Sequence, residues 1–364
     1  MEVLLYTILT LCALGVLILY TTDRGAGTSR GIQQAIYYGA GIIAMLACIF
    51  VVRYVRRWGF LIKVIMLGAA ALLALPLAIG TEQNGATNWI NIGGTSVQPS
   101  ELVKLALLLI LSWYMSRRRF LPWFAFAVFS LLVLMLQQDL GTALIYYATT
   151  LFLFYASTGN LPLTCLGLVG AGGAAALGYA MFAHVKKRVA IWRNPWIYYE
   201  TSGYQIVQML MAIASGGLFG VGLGLGAPRV IPVYFTDCIF AVICEQFGVI
   251  FGALVLAMYV ILILRGVSIA SAARSSFHAL LAMGATIMLG IQTFIIIGGV
   301  LKLIPLTGVT MPFVSYGGTS LVSCMGLIGL IQGVASVNQD DLAYDYEISH
   351  TLQEEAMMPE ADRE

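Results

Sequence analysis

The stretch SELVKLALLLILSWYMSRRRFLPWFAFAVFSLLVLMLQQDLGTALIYYATTLFLFYAS, residues 100–157, decides the fold class. Three apolar runs, 100–115, 121–137 and 139–157, follow one another with minimal connectors. One connector is the basic triplet Arg117, Arg118 and Arg119, and the other is the polar corner at Gln138 and Asp139. A hydrocarbon core of about 30 Å is crossed by about 20 apolar helical residues, and a helix satisfies its own backbone there. The runs therefore read as consecutive membrane spans. Working outward, the same pattern recurs at 3–20, 33–52 and 61–80 before them and at 161–183, 238–264, 278–301 and 318–337 after them. The expectation is an all-α polytopic membrane protein of about ten transmembrane helices, with the membrane domain over 1–338 and a large extracytoplasmic loop, 184–237, between spans seven and eight. Of the 364 residues, 60% are hydrophobic and 10% charged, against about 25% charged in an average soluble domain. The first run follows Met1 and Glu2 without a basic leader and is expected to be retained as a span rather than removed as a signal.

The six cysteines, Cys12, Cys48, Cys165, Cys238, Cys244 and Cys324, lack metal-type spacing and read as structural thiols. His184, His278 and His350 lie in separate regions, which gives no support to a histidine triad or metal cluster. Charge is uneven. Residues 339–364 carry nine acids against Arg363 alone, a net of −8 that leaves +10 on the rest of a chain whose total is +2. This acidic tail reads as a solvated, partly disordered cytoplasmic end, and the basic body suits anionic lipids or phosphates. Arg53, Arg56 and Arg57, the triplet at 117–119, and Arg265 with Arg274 all fall on the side of both termini, which the positive-inside rule makes cytoplasmic. The outer side then receives 81–99, the Asp139 corner, 184–237 and 302–317. The apolar YQIVQMLMAIA, 204–214, is too short to span and reads as an interfacial or re-entrant helix.

Several motifs on that side carry chemistry. In GATNWINIGGTSVQPSELVK, 85–104, a turn-rich loop meets a helix start at Pro99 and Ser100. Glu101 and Lys104 share a helical face, either as a local ion pair or with Lys104 projecting towards an anion and Glu101 orienting it. Asp139 in QQDLGTA stands where a helix cap is favourable. RVAIWRNPW, 188–196, sets Arg188 and Arg193 among Trp192 and Trp196, for interfacial anchoring or for bidentate contact with phosphate oxygens. SGGLFGVGLGLGAP, 215–228, lacks the preceding strand and lysine ending of a nucleotide loop and reads as close backbone approach. KLIPLTGVTMPFVSYGGTS, 302–320, is an irregular connection bearing the Ser315 and Tyr316 hydroxyls. VIPVYFTDCIFAVICEQFG, 230–248, holds Asp237 and Glu245 with no base between them. An acid in an apolar run needs a partner, a cavity or a task. Asp237 falls at the mouth of the eighth span; Glu245 lies about 12 Å deeper at helical rise and reads as a structural polar contact.

Taken together, WINIGG, QPSELVK, QQDLGTALI, IWRNP, GYQIVQ, AIASGGLFGVGLG, TDCIFAVICEQFG and QTFIIIGGVLKLIPLTGVTMPFVSYGGTSL resemble the SEDS family, the shape, elongation, division and sporulation proteins that include RodA, FtsW and SpoVE. The motifs stand in the family's order over about residues 85–325. The resemblance implies a peptidoglycan glycosyltransferase that polymerises lipid II into undecaprenyl-pyrophosphate-linked glycan at the outer face of a bacterial plasma membrane. A class B penicillin-binding protein is the implied partner, and no nucleic acid is. Asp237 falls on the family's essential acid, and Lys104 and Asp139 fall on polar positions bordering its central cavity. Glu101, Arg188, Arg193, Gln205, Ser315 and Tyr316 complete the expected substrate- and pyrophosphate-binding set. The chain departs from the family pattern at Gln138, at Gln246 and in PVYFTDCIF, where Tyr234 and Phe235 stand in a segment that commonly holds a glutamate and a histidine. The implied mechanism has Asp237, its pKa raised by partial desolvation, deprotonate the acceptor 4-hydroxyl, which attacks C1 with inversion. Lys104, Arg188, Arg193 or a divalent cation, Mg or Mn, stabilises the leaving pyrophosphate. A lipid II flippase, an oligosaccharide ligase and a non-catalytic scaffold for cell-wall synthesis stay open as alternatives.

Overall fold

The computed structural model describes residues 2–23, 30–55, 59–83, 86–93 and 95–357. Arg56, Arg57, Gly85, Gly94, Glu360, Asp362, Arg363 and Glu364, all used in the sequence reading, lie outside them. The apolar runs are helices: α1 (Glu2–Asp23), α2 (Arg30–Val55) and α3 (Gly59–Ala74), which Pro76 interrupts and α4 (Pro76–Ile79) resumes for one turn. Proline has no N–H for the helical ladder and clashes with the preceding turn, hence the step. A small antiparallel sheet follows, β1 (Thr81–Gln83), β2 (Ala86–Ile92) and β3 (Thr95–Val97). Next come α5 (Pro99–Ser116), α6 (Phe120–Leu136), α7 (Leu140–Thr158) and α8 (Leu161–Met181). The long connection carries α9 (Ala183–Arg193) and α10 (Tyr204–Gly216) and leads to α11 (Ile239–Ser271), α12 (Ser276–Val300) and α13 (Gly318–Met357).

Among the described residues nine helices, counting α3 with α4 as one, are long and apolar enough to cross a membrane. With α6, apolar over 17 residues, they account for the ten expected spans. Helices α5, α12 and α13 are the most enclosed, with Leu107, Leu108, Ile110, Leu281, Met288, Leu327, Ile328 and Ile331 fully buried between them. Helix α8 buries no residue. The stretch 204–214 is a helix, α10, packed against α11.

Three elements differ from the sequence reading. The turn-rich loop at 81–97 is a three-stranded sheet, in which Ile90 pairs with Val97, Asn91 with Ser96 and Ile92 with Thr95. The acidic tail is not irregular from its start: α13 runs past residue 337 to Met357, and Arg53 of α2 ion-pairs with Asp340 at 2.7 Å across that extension. Third, α11 is broken at Gly248, whose φ of 86° and ψ of 168° are not helical.

The break is stitched by the glycine-rich segment. Val221 N and Gly222 N donate to the carbonyls of Glu245 (2.9 Å) and Gln246 (3.0 Å), while Val249 N and Ile250 N donate to Gly217 O (2.9 Å) and Leu218 O (3.4 Å). Ala227 N donates to Glu245 Oε1 at 2.9 Å. Backbone freed from a helix inside a membrane protein is tolerated only when protein re-pairs it, and here the loop does so. A Cβ on Gly248 would collide with the Leu218 carbonyl and would hold a disfavoured positive φ. We therefore expect Gly248→Ala to lower the thermal unfolding midpoint of the purified protein sharply, by a cost of about 1–3 kcal/mol for strain alone. Gly39→Ala, at a position open within 4 Å, should leave that midpoint unchanged or raise it.

Candidate active site

The connections expected on the outer side meet at one end of the bundle. Thr87 N donates to Gln137 O at 3.0 Å, and Gln98 N donates to the Thr319 hydroxyl at 3.3 Å. Trp192 Nε1 donates to Lys302 O at 3.0 Å, Arg229 donates to Thr22 O at 2.8 Å, and Tyr316 N donates to Phe235 O at 2.8 Å. These bonds lace the sheet, the α6–α7 corner, α9, the 302–317 segment and the approach to α11 into one cap.

Asp237 sits in that cap on a run of turns just before α11. Gly308, at φ 78°, faces it, and a Cβ there would lie 3.7 Å from Asp237 Oδ2. The residue is half-buried, and burial of its carboxyl pushes the pKa from the ordinary 3.8 up to about 6, against smaller opposite pulls from the Thr236 hydroxyl and the Arg188 guanidinium. A carboxyl of this kind is mostly ionised at neutral pH and is a stronger base than an ordinary aspartate.

Arg188, on α9, is the expected cation whose charge reaches Asp237. Arg193 ends the same helix with an exposed side chain, and its carbonyl accepts from Lys302 Nζ at 3.4 Å. Gln205, at the start of α10, donates to Cys238 Sγ at 3.1 Å, next to Asp237.

Lys104 is placed differently from the expectation of a cation projecting towards an anion. It is fully buried, and its ammonium donates to Glu101 Oε1 (2.7 Å), Glu101 Oε2 (2.8 Å) and Gln292 Oε1 (3.0 Å). An ammonium has three donors, so this set is complete, and the local ion pair is the arrangement present. Gln292 passes the link on to Thr310 O at 3.0 Å. The Lys104–Glu101 pair thus ties α5 and α12 to the segment that faces Asp237. Asp139 caps α7 by accepting from Thr142 N at 3.1 Å. Its other oxygen accepts from Asn88 at 2.8 Å and Gln98 at 2.9 Å, so sheet, α5 and α7 converge on one carboxylate.

The two hydroxyls of 302–317 are also engaged. Ser315, buried, donates to Thr236 O at 2.6 Å and accepts from Met311 N at 2.9 Å. Tyr316 donates to Gln33 Oε1 on α2 at 2.6 Å. Both hold the backbone that carries Asp237, and their hydroxyls are directed at protein. Glu245, buried, holds the glycine-rich segment through Ala227 N, which is the structural contact expected of it.

Sequence reasoning passed over Asp23 and Arg30. They pair at 3.0 Å at the α1–α2 corner, and Tyr234 donates to the same Asp23 oxygen. The visible signal was an acid and a base flanking one connector; their partner lies more than 200 positions away. Among the described residues no three His, Cys, Asp or Glu side chains converge. Mg is usually held by one or two carboxylates together with substrate phosphates, and with Glu101 and Asp139 engaged by protein donors, Asp237 is the carboxylate of the expected set that such an ion would meet.

Among the described residues, ten apolar helices capped at one end by interlaced loops define a multi-pass membrane protein. The family model described as cell cycle protein, FtsW/RodA/SpoVE, matches residues 1–340. The peptidoglycan glycosyltransferase RodA of Mycobacterium leprae is 36% identical over 326 residues, covering 83% of this chain and 69% of its own. Stage V sporulation protein E of Bacillus subtilis is 35% identical over 317 residues, with 83% and 86% covered, and a probable FtsW of Geobacter metallireducens is 31% identical over 358 residues, with 92% and 94% covered. Among solved structures, a chain from work on coordination of polymerization and crosslinking by a peptidoglycan synthase complex superposes with a TM-score of 0.78 at 26% identity over 92% of this chain and 97% of that one. The rod shape determining protein RodA of Thermus thermophilus gives 0.67 at 26% identity, with 92% and 95% covered. The chain belongs to the FtsW/RodA/SpoVE family. It is a multi-pass bacterial membrane protein and a glycosyltransferase of cell-wall synthesis.

Two measurements check this geometry. Because Asp237 holds its proton more tightly folded than unfolded, its contribution to stability is present below about pH 4 and is lost as pH rises through about 6. The difference of about two pH units corresponds to at most roughly 3 kcal/mol, less what its partial solvent access returns. Asp237→Asn should therefore melt higher than wild type at pH 7 to 8, with the gap closing by pH 4. For the buried pair, Lys104→Met should cost about 3–5 kcal/mol by leaving a carboxylate uncompensated. The double variant Glu101→Gln with Lys104→Met should recover much of that midpoint.

Proposed function

We propose that this protein polymerises lipid II into glycan strands at the outer face of the plasma membrane, with Asp237 as the general base. A lipid-linked sugar pyrophosphate brings its own leaving group, so the protein has to supply a base, a fixed geometry and a cation. Asp237, with a pKa near 6, takes the proton from the acceptor 4-hydroxyl of lipid II as that oxygen bonds to C1 of the growing chain. The C1–pyrophosphate bond breaks with inversion, and the undecaprenyl pyrophosphate departs with its electron pair. Arg188, whose charge reaches Asp237, stabilises that charge, with Arg193 along the same helix and Gln205 bordering the approach. Lys104, Glu101, Asp139, Ser315 and Tyr316 act by holding the cap rather than by touching substrate.

One observation carries this reading. Glu101 and Asp139 give their oxygens to protein donors, whereas Asp237 is half-buried, is made more basic by burial and is within reach of the Arg188 charge. The relatives named peptidoglycan glycosyltransferase supply the substrate class, and the likeness to a chain of a peptidoglycan synthase complex supports a class B penicillin-binding protein as partner. Both termini and the acidic end of α13 are then cytoplasmic, in line with Arg53, Arg117 to Arg119, Arg265 and Arg274 on that side.

Purified protein, with a cross-linking partner added, is given labelled lipid II, and the products are resolved on a gel. Wild type should form polymer, Asp237→Asn none, and Arg188→Ala polymer at a rate lower by about 10²-fold, a magnitude usual for loss of one charge-stabilising donor. An active Asp237→Asn overturns the mechanism. Translocation of lipid II across vesicles without polymer would establish a flippase instead.

A further inference from the structure

Asp237 lies on a run of turns, held on its C-terminal side by Cys238 and the start of α11, so its remaining freedom is set by whatever holds the three residues before it. They are tied to the α1–α2 corner on one side and to the 302–317 segment on the other. Tyr234 donates its hydroxyl to Asp23 Oδ1 at the end of α1, and Arg30, at the start of α2, donates to that oxygen at 3.0 Å and to the Tyr234 hydroxyl at 3.4 Å. Phe235 lies under the Arg30 guanidinium, 4.1 Å from ring centroid to Cζ, and its carbonyl accepts from Tyr316 N. Thr236 O accepts from Ser315. Burial, then the bond to Asp23, pushes the Tyr234 phenol up to about 12, so it remains a donor at neutral pH.

Two local rules are broken here. Asp23 is a buried acid at the C-terminal end of a helix, where the dipole disfavours it. Val233, β-branched, holds a φ of 54°, which costs about 1–3 kcal/mol. Violations that cluster beside a reactive group, with the compensating contacts all aimed at one loop, point to function.

We propose that Asp23, Arg30 and Tyr234 form a bracket between the α1–α2 corner and the loop before α11, and that they are positioning residues for Asp237 in the reaction proposed above. The inference rests on that reading for the role of Asp237. Removing the bracket leaves Thr236 and the carbonyl of Phe235 held from one side only, so Asp237 swings away from its attack geometry and takes up water. Of the elements packed around Asp237, α9 contributes the charge of Arg188, and the 302–317 segment contributes Gly308.

The test is the pH dependence of lipid II polymerisation by the full chain with its cross-linking partner, for wild type, Tyr234→Phe, Arg30→Lys and Asp23→Asn. Misplacement of a reacting group by an ångström costs up to about 10²-fold. Each variant should lose kcat by about 10-fold or more with KM nearly unchanged, and the acid limb of kcat/KM should move below the wild-type position near pH 6 as water reaches the carboxyl. Tyr234→Phe combined with Asp23→Asn should cost no more than the worse single change, because both break one contact. A profile unchanged, or lowered by a constant factor with its acid limb in place, overturns the bracket, since partial unfolding scales a profile without moving it. If Tyr234→Phe does not fold, Arg30→Lys carries the same readout. Polymer from Asp237→Asn would bring down the reading beneath it, whereas an inactive Asp237→Asn beside a normal Tyr234→Phe profile brings down the bracket alone.

Discussion

Backbone that leaves a helix near the membrane has to find its hydrogen bonds in protein, and that constraint organises the reactive end of this molecule. Glu245 and Gln246 lose their helical acceptor duty at Gly248, and the glycine-rich segment supplies Val221 N and Gly222 N in replacement while its own carbonyls take Val249 N and Ile250 N. A Cβ at Gly216, Gly220 or Gly248 would collide with the facing backbone, which is why glycine stands at those positions. With α11 broken and re-stitched there, the loop that precedes it can cross the bundle mouth carrying Asp237.

Charge burial follows the same economy. A carboxylate taken from water must be paired or must change its proton affinity. Glu101 is met by Lys104, Asp139 by Asn88, Gln98 and the Thr142 amide, and Asp23 by Arg30 and Tyr234. Asp237 follows the second course, and its raised pKa is the chemical consequence of being less well paired than its neighbours. The cap thus sets acids held by protein donors around Asp237, whose burial is answered by a raised pKa.

Much of this was legible in the residues. The ten spans, the unusual loops assigned to one end, the helix at 204–214 and the cap at Asp139 follow from hydropathy, turn residues and local propensity, which are properties of neighbours along the chain. The sheet at 81–97 escaped notice because strands this short are decided by pairing, and its anchor, Thr87 to Gln137, joins residues 50 apart. The choice for Lys104 between a local ion pair and a projecting cation stayed open in the sequence because Gln292, which completes its coordination, is 188 positions away.

By itself the sequence determined the helices and their number, because apolar length acts locally. The family and the position of Asp237 were likewise readable from contiguous motifs. Only the tertiary structure decided which charges are spent on one another and which remain available for chemistry. Pairing depends on side chains brought together from distant spans, as with Asp23 and Tyr234 or Lys104 and Gln292, and burial, which sets the basicity of Asp237, exists only once the chain has closed around it.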